Sequence, residues 1–184
     1  MSEVIKEVAD NVILFAKCKP EAIVPTKEEE DAGMDVYAVL DNSYLAIGFG
    51  ETVKIPTGIK SVFSKRYVVI LKERGSTGTV GIAQRSGVID SGFRGEWLVP
   101  ITNLNKDKTL VLFKGNIDDE ELKQSIAQEL ELEMQDIVFY STNKAITQAV
   151  IVPVPAVRAV EVTEEEVMSY ESKRGEGMLG SSNK

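Results

Sequence analysis

Short runs of β-branched and aromatic residues recur along the chain, separated by Gly, Asn, Asp and Pro. Residues 11–17 (NVILFAK) read as a first strand. Val53, Ile55 and Ile59 stand among Thr, Lys, Pro and Gly, which fits short strands and turns. YVVILK (67–72), EWLVPI (96–101), TLVLFK (109–114), IVFYS (137–141) and AITQAVIVPV (145–154) follow. Segments this short, with these boundaries, predict an all-β sandwich or barrel. Pro153 and Pro155 must then lie at a strand end or a sheet edge, because proline has no N–H for a ladder.

One stretch has a different period. After Asn116-Ile117-Asp118-Asp119-Glu120, the residues Leu122, Ile126, Leu130 and Met134 recur at four-residue steps. Asn116 or Asp118 can cap such a segment, and acids crowd its first turn, where the helix dipole favours them. One amphipathic helix is predicted over 118–134, within an insertion at about 105–141. Two readings of its apolar stripe stand open: packing on the edge of the sandwich, or binding a protein partner. The Gly- and Ser-rich end, 172–184, is expected to be a flexible tail beyond a β domain spanning 1–171. The Glu runs at 28–30 and 164–166 read as solvated surface.

Composition narrows the chemistry. The 184 residues contain no histidine and one cysteine, Cys18. Ser-His-Asp and Cys-His mechanisms are excluded, as is a His/Cys zinc site. No internal disulfide can form, and neither a secretory leader nor a run of roughly 18 apolar residues is present, so a cytoplasmic protein is expected. Carboxylates, hydroxyls, Arg, Lys and backbone groups remain, a set suited to a hard cation such as magnesium. The net charge of −8 argues against nucleic-acid binding. It also requires that any polyanionic ligand be held by a few local donors.

Five segments can carry chemistry. Taken singly, each has an ordinary reading as a turn, loop, strand end or tail. Asp31-Ala32-Gly33-Met34-Asp35 leads into a strand. Glu73-Arg74-Gly75-Ser76-Thr77-Gly78 follows a strand and can turn N–H groups toward phosphate, with Arg74 adding charge. Gly87-Val88-Ile89-Asp90-Ser91-Gly92-Phe93-Arg94-Gly95 sets an acid after an apolar triplet, then a ring three residues on. That arrangement fits a general base beside a surface on which a sugar can rest. Gln148 follows Asn143-Lys144-Ala145-Ile146-Thr147. Arg174-Gly175-Glu176-Gly177-Met178-Leu179-Gly180-Ser181-Ser182 lies in the tail.

In this order, the five segments resemble the five motifs of the trimeric dUTPase family, from about residue 31 to 182 with the insertion left out. GVIDSGFRG is the most specific of them, and RGEGMLGSS the next. The resemblance implies a jelly-roll-like β subunit, a homotrimer with sites at the subunit interfaces, and magnesium-dependent hydrolysis of dUTP to dUMP and pyrophosphate. That activity keeps uracil out of DNA and supplies dUMP for dTMP synthesis. It implies Asp35 as the acid that holds magnesium-bound waters and Asp90 as the base that activates the attacking water. Arg74, Gly75 and Ser76 are implied at the phosphates, and Gln148 as a further phosphate contact. Gln84, Gly87, Ile89 and Phe93 join the substrate-binding set, Gln84 standing where the family often has Asn near the uracil. Arg174, Leu179, Gly180, Ser181 and Ser182 are implied in a lid that closes over the nucleotide.

Departures from the family pattern concentrate on affinity. Gly75 stands where a Ser is usual, Phe93 replaces a Tyr, Leu179 replaces a Phe, and Asn143 and Ala145 stand where Gly and Arg are usual. The insertion resembles one at this place in some phage members, which implies the host cytoplasm as the site of action if the chain is phage-encoded. It could carry a protein partner, and its 118–134 segment contributes no residue to the five motifs. A related dCTP deaminase would need a glutamate five residues after Gly95. Pro100 stands there and can move no proton. A binding or regulatory protein that keeps the fold is the rival from another class, separated by the presence or absence of pyrophosphate release from dUTP.

Overall fold

Alternation along one strand shows how this chain is built. In Thr109–Phe113 the four residues after Thr109 are all buried. Leu110 and Leu112 belong to one apolar cluster, Val111 and Phe113 to another. A strand with two buried faces must be covered on both. The computed structural model describes residues 7–173, 175 and 176.

The strands are β1 (Ile13–Lys17), β2 (Gly33–Val36), β3 (Tyr44–Ile47), β4 (Thr52–Pro56), β5 (Ile59–Phe63), β6 (Tyr67–Lys72), β7 (Ile82–Gln84), β8 (Val88–Ile89), β9 (Leu98–Asn103), β10 (Thr109–Phe113), β11 (Ile137–Ser141) and β12 (Thr147–Pro153). Helical turns are α1 (Gly75–Gly78), α2 (Glu120–Glu129) and α3 (Glu164–Met168). The strands pair in the orders β1-β5, β11-β10-β3, β2-β12-β6-β8 and β4-β9-β7. The result is a jelly-roll-like β fold whose paired strands, β10 and β11 apart, are not neighbours in the chain. Pro153 is the last residue of β12, where its missing N–H breaks no ladder.

The main core gathers Ile55, Ile59, Trp97, Ile101, Leu110 and Ile146, all at most 1% exposed. The Trp97 indole N–H donates to Ser61 Oγ (3.1 Å) and its ring meets Phe15 edge-on, so the large side chain is buried with its polar atom satisfied. EWLVPI accordingly splits: Trp97 packs in the core and the strand begins at Leu98. Short strands at 33–36 and 44–47 also form. Their hydrophobic runs are too brief to stand out without the sheets that receive them.

The chain divides after Val154 into two units, residues 1–154 and 155–184. In the second, α3 starts at the Thr163 N-cap, whose Oγ1 accepts from the Glu166 N–H. The Glu run at 164–166 forms the exposed first turn of that helix.

The insertion holds the main correction to the sequence reading. The helix runs over Glu120–Glu129, not 118–134, and covers a sheet face rather than the sandwich edge. Asp119 is the N-cap, accepting from the Leu122 N–H at 3.0 Å. The stop is a left-handed Glu131 (φ 56°). Around it the Glu131 N–H bonds Gln128 O and the Leu132 N–H bonds Ala127 O, the paired bonds of a Schellman end. Met134 therefore falls in a separate 3-10 turn, Met134–Asp136. The four-residue spacing continued past the helix because Leu130 and Met134 still pack on the same cluster.

That cluster closes the outer face of the β3-β10-β11 sheet. Val111, Phe113 and Ile137 meet Ile126 and Ala127 of α2, and Phe113 meets Phe139 edge-on. Strand β11 runs parallel to β10, from Thr109↔Ile137 to Phe113↔Ser141. Parallel neighbours need a crossover, and residues 114–136 supply one with a helix in it. The apolar side of α2 is thus used within the subunit, and Glu121, Gln124, Gln128 and Glu129 face outward. Ile126, 3% exposed, is central to this cover. Ile126→Ala should lower the unfolding free energy by about 2–5 kcal/mol, read by urea denaturation. A loss below 0.5 kcal/mol, on the order of a surface substitution, would show that α2 does not seal this face.

Candidate functional site

Strand β12 sets the site because it is paired along both edges. Gln148 lies opposite Asp35 of β2 and opposite Lys72 of β6. Directly opposed residues of antiparallel strands share a sheet face, so the first and fourth motifs meet by register. The chain leaves β6 extended through Arg74, then winds into α1. Thr77 secures this turn: its Oγ1 accepts from the Arg74 N–H (3.0 Å) while its own N–H donates to Arg74 O.

Arg74 folds back over the row. Its Nε lies 2.9 Å from Asp35 Oδ1, and its Nη2 donates to Oδ2 at 3.1 Å. Its Nη1 reaches the Ala145 carbonyl at 3.3 Å and Ser76 Oγ at 3.4 Å. Each guanidinium nitrogen therefore has a protein oxygen partner. Both side chains are about one-third exposed, and the fork geometry makes this pair directional. The Gln148 amide donates to Glu73 O at 2.8 Å. A cleft of about 360 Å³ results, lined by Asp31, Gly33, Asp35, Arg74, Gly75, Ser76 and Gln148. Among the described residues, the N–H groups of Gly75 and Ser76 donate to no protein acceptor, and a side chain at Gly75 would meet open space.

Gln84 lies behind the cleft, not in it. It is 9% exposed, its Nε2 donates to Leu71 O (2.9 Å), and its Oε1 accepts from the buried Thr147 hydroxyl. Thr147 Oγ1 also reaches Lys72 O at 2.8 Å. Gln84 thus ties β7 to β6 and β12. Gly87 allows this arrangement: its φ is 116°, and a Cβ would come within 2.6 Å of Gln84 Nε2 and 2.9 Å of Leu71 O. Ile89 is 7% exposed and points into the core, so it offers a ligand only its backbone.

Asp90 and Phe93 lie elsewhere on the subunit. Strand β8 pairs antiparallel with β6, Ile89 opposite Val69 and Val88 opposite Ile70. Asp90 therefore continues toward Val68, away from Arg74. Six residues of extended chain separate Val68 from Arg74, about 20 Å. The turn after β8 is closed by the Phe93 N–H on Asp90 O (3.0 Å), and the Arg94 guanidinium bonds Ser91 O and Phe93 O. The Phe93 ring is 43% exposed and lies over Gly95, where a Cβ would fall 2.5 Å from Cζ. Arg174, Leu179, Gly180, Ser181 and Ser182 lie outside the described residues.

Two groups at the cleft were not among the expected site residues. Asp31 lines it beside Asp35. Tyr140, on β11, donates its hydroxyl to Ala145 O at 2.7 Å, the carbonyl that Arg74 also contacts. Burial pushes the Tyr140 phenol above the usual tyrosine range, with Ser76 and Arg74 opposing the rise. Strand β11, within the 105–141 insertion, thus reaches the support of the second motif.

The sequence profile of the family described as dUTPase matches residues 19–116, more than half of the chain. The chain belongs to the dUTPase family. The match spans the first three motifs and ends where the crossover to α2 begins. Among relatives of this dUTPase-family chain, the deoxyuridine 5'-triphosphate nucleotidohydrolase of Mycolicibacterium gilvum is 29% identical over 124 residues, covering 65% of this chain and 76% of that one. That of Solibacter usitatus is 33% identical over 103 residues, covering 52% and 67%. In fold, the Staphylococcus bacteriophage 80alpha dUTPase with dUPNHPP aligns with a TM-score of 0.68 at 22% identity, covering 94% of this chain and 99% of that one. The dUTPase of phage phi11 of S. aureus, described with a species-specific insert, aligns at a TM-score of 0.61 and 20% identity, covering 84% and 99%. No helix of the described residues is long and apolar enough to cross a membrane.

The Gly87 geometry predicts a structural cost that does not touch the cleft. Gly87→Ala must leave the left-handed region or displace Gln84, and should destabilise the fold by about 1–3 kcal/mol in urea denaturation. An unchanged midpoint would show that the Gln84 bridge is easily moved.

Proposed function

We propose that this dUTPase-family chain hydrolyses dUTP to dUMP and pyrophosphate as a magnesium-dependent homotrimer. One observation carries the reading. The 35–74–76–148 cleft offers cationic and N–H donors to phosphate, while the candidate base, Asp90, lies about 20 Å away along β6. A single subunit presents two half-sites, which a second copy brings together.

In this reading the triphosphate lies against Ser76, the unpartnered N–H groups of Gly75 and Ser76, and Gln148. Arg74 holds Asp35 in place and adds positive charge, needed in a chain of net charge −8. Asp35 and Asp31 suit an outer-sphere hold on magnesium. Asp35 keeps lone pairs on both oxygens beside the Arg74 fork, and no cluster of three or more His, Cys, Asp or Glu exists among the described residues to cage an ion directly. Magnesium usually keeps several waters, and when bound to the triphosphate it would neutralise phosphate charge. The phage phi11 enzyme, in a mutant form, coordinates a structural Mg(II) ion, which is consistent with that role.

Asp90 of a neighbouring subunit accepts a proton from water as the water oxygen bonds the α-phosphorus. The bond from the α-phosphorus to the bridging oxygen breaks, and pyrophosphate leaves. Positioning and charge stabilisation supply most of the catalysis in such reactions. The exposed Phe93 ring offers an apolar surface to deoxyribose, and Gln84, Gly87 and Ile89 shape the backbone beneath the base. Arg174, Leu179, Gly180, Ser181 and Ser182 complete the substrate-binding set in this reading. The product dUMP feeds dTMP synthesis, and removal of dUTP keeps uracil out of DNA. These steps take place in the cytoplasm.

Asp90→Asn should lower pyrophosphate release by about 10²–10⁴-fold while dUTP still binds. Arg74→Ala should also be impaired. Co-refolding the two variants should restore part of the activity, since a mixed trimer contains sites with an intact cleft and an intact Asp90. No recovery in a verified mixed trimer would mean that both halves act within one subunit. The open space at Gly75 carries a further expectation: Gly75→Ser should leave the melting temperature within a degree or two and lower the KM for dUTP roughly 2–10-fold, the effect of one added hydrogen bond. An unchanged or raised KM would place the phosphates elsewhere.

A further inference from the structure

We propose that Tyr140, carried into the subunit by β11 of the insertion, is a positioning residue for the phosphate cleft: its hydroxyl fixes the Ala145 carbonyl that anchors Arg74. The inference rests on the reading of that cleft as the triphosphate site, and adds to it a residue outside the five motifs.

The geometry begins at the sheet. Tyr140 lies opposite Leu112 in the parallel β10–β11 pair, and its side chain is on the face that belongs to the main core. The ring is 5% exposed. Its hydroxyl therefore needs a partner inside the protein, and finds one in Ala145 O at 2.7 Å. Ala145 is 2% exposed and stands where the turn closed by the Lys144 N–H on Ser141 O leads into β12. Two donors from distant elements meet on that carbonyl, Tyr140 from β11 and Arg74 Nη1 from the end of β6.

The carbonyl matters because of what the Asp35 fork leaves free. Two parallel contacts to one carboxylate align the guanidinium plane with that carboxylate, yet both can rock together about the Asp35 side chain. Ala145 O restrains the opposite corner, at Nη1, from a different strand. Ser76 Oγ sits at the same nitrogen. Losing the tyrosine hydroxyl would loosen the carbonyl, then Arg74, then the hydroxyl that faces the cleft. A site held to a fraction of an ångström depends on such supporting contacts. The parallel pairing of β11 on β10 thus positions a hydroxyl that never meets the substrate.

Tyr140→Phe keeps the ring and the packing and removes only the hydroxyl. The test measures pyrophosphate release from dUTP by the full-length protein in four forms: parent, Tyr140→Phe, Arg74→Ala and the double variant. Thermal melting verifies that each is folded. Affinity for dUPNHPP, which requires no turnover, provides a second measurement. The expected result for Tyr140→Phe is a KM raised about 3–10-fold, the scale of one hydrogen bond, with kcat changed less than twofold. In the Arg74→Ala background the same change should have no further effect, because the group it positions is gone. A merely structural tyrosine would give equal effects in both backgrounds, and that result overturns the proposal. So does a parental KM in Tyr140→Phe alongside a raised one in Arg74→Ala. If Arg74→Ala itself leaves KM and dUPNHPP affinity unchanged, the cleft does not hold the triphosphate, and both readings fall.

Discussion

The double pairing of β12 is the constraint on which the cleft depends. Its register with β2 and β6 places Asp35, Gln148 and Lys72 in one row. A slip of one residue would turn Gln148 to the opposite face and break that row. The neighbouring residue, Thr147, already uses the opposite face: it is fully buried and ties Gln84 and the Lys72 carbonyl together. Consecutive residues of one strand thus serve the cleft and the core in turn.

Arg74 translates this register into charge. Its contacts with Asp35, Ala145 and Ser76 join residues from three separate segments. Most of its hydrogen-bonding capacity is spent inside the protein, so its contribution to an anion is positional and electrostatic more than a set of direct bonds. The N–H groups of Gly75 and Ser76 remain to do the direct work. A backbone donor on a tight turn suits this task because it needs no side-chain ordering when the ligand arrives.

The insertion is integrated into the subunit. Strand β10 is buried on both faces, and among the described residues the crossover through α2 covers the outer one. Having been recruited to complete that second core, β11 also brings Tyr140 to the main core and to Ala145. Alternation explains both roles: Ile137 and Phe139 face α2, and Val138 and Tyr140 face the main core. An element added to a sheet edge can therefore affect a cleft formed by strands of another sheet.

The sequence alone determined the β class, the positions of most long strands and the presence of a helix in the insertion, because those depend on local period and turn residues. YVVILK and IVFYS coincide with β6 and β11. The family motifs were readable for a related reason: GVIDSGFRG combines the glycines required by Gly87's backbone and the Phe93–Gly95 contact with an acid at a fixed offset. Tertiary structure alone decided the rest. The helix ended at Glu129 because Glu131 turned left-handed, though its apolar spacing continued. Gln84 became an internal bridge because β6 and β12 met above it. Tyr140 joined Arg74 because parallel pairing brought β11 under the 141–147 turn. The helix end is made by local bonds, but its apolar spacing runs on because Leu130 and Met134 pack on distant strands. The Gln84–Thr147 and Arg74–Ala145 contacts join residues far apart in the chain, and local patterns carry no information about which distant strand will be the neighbour.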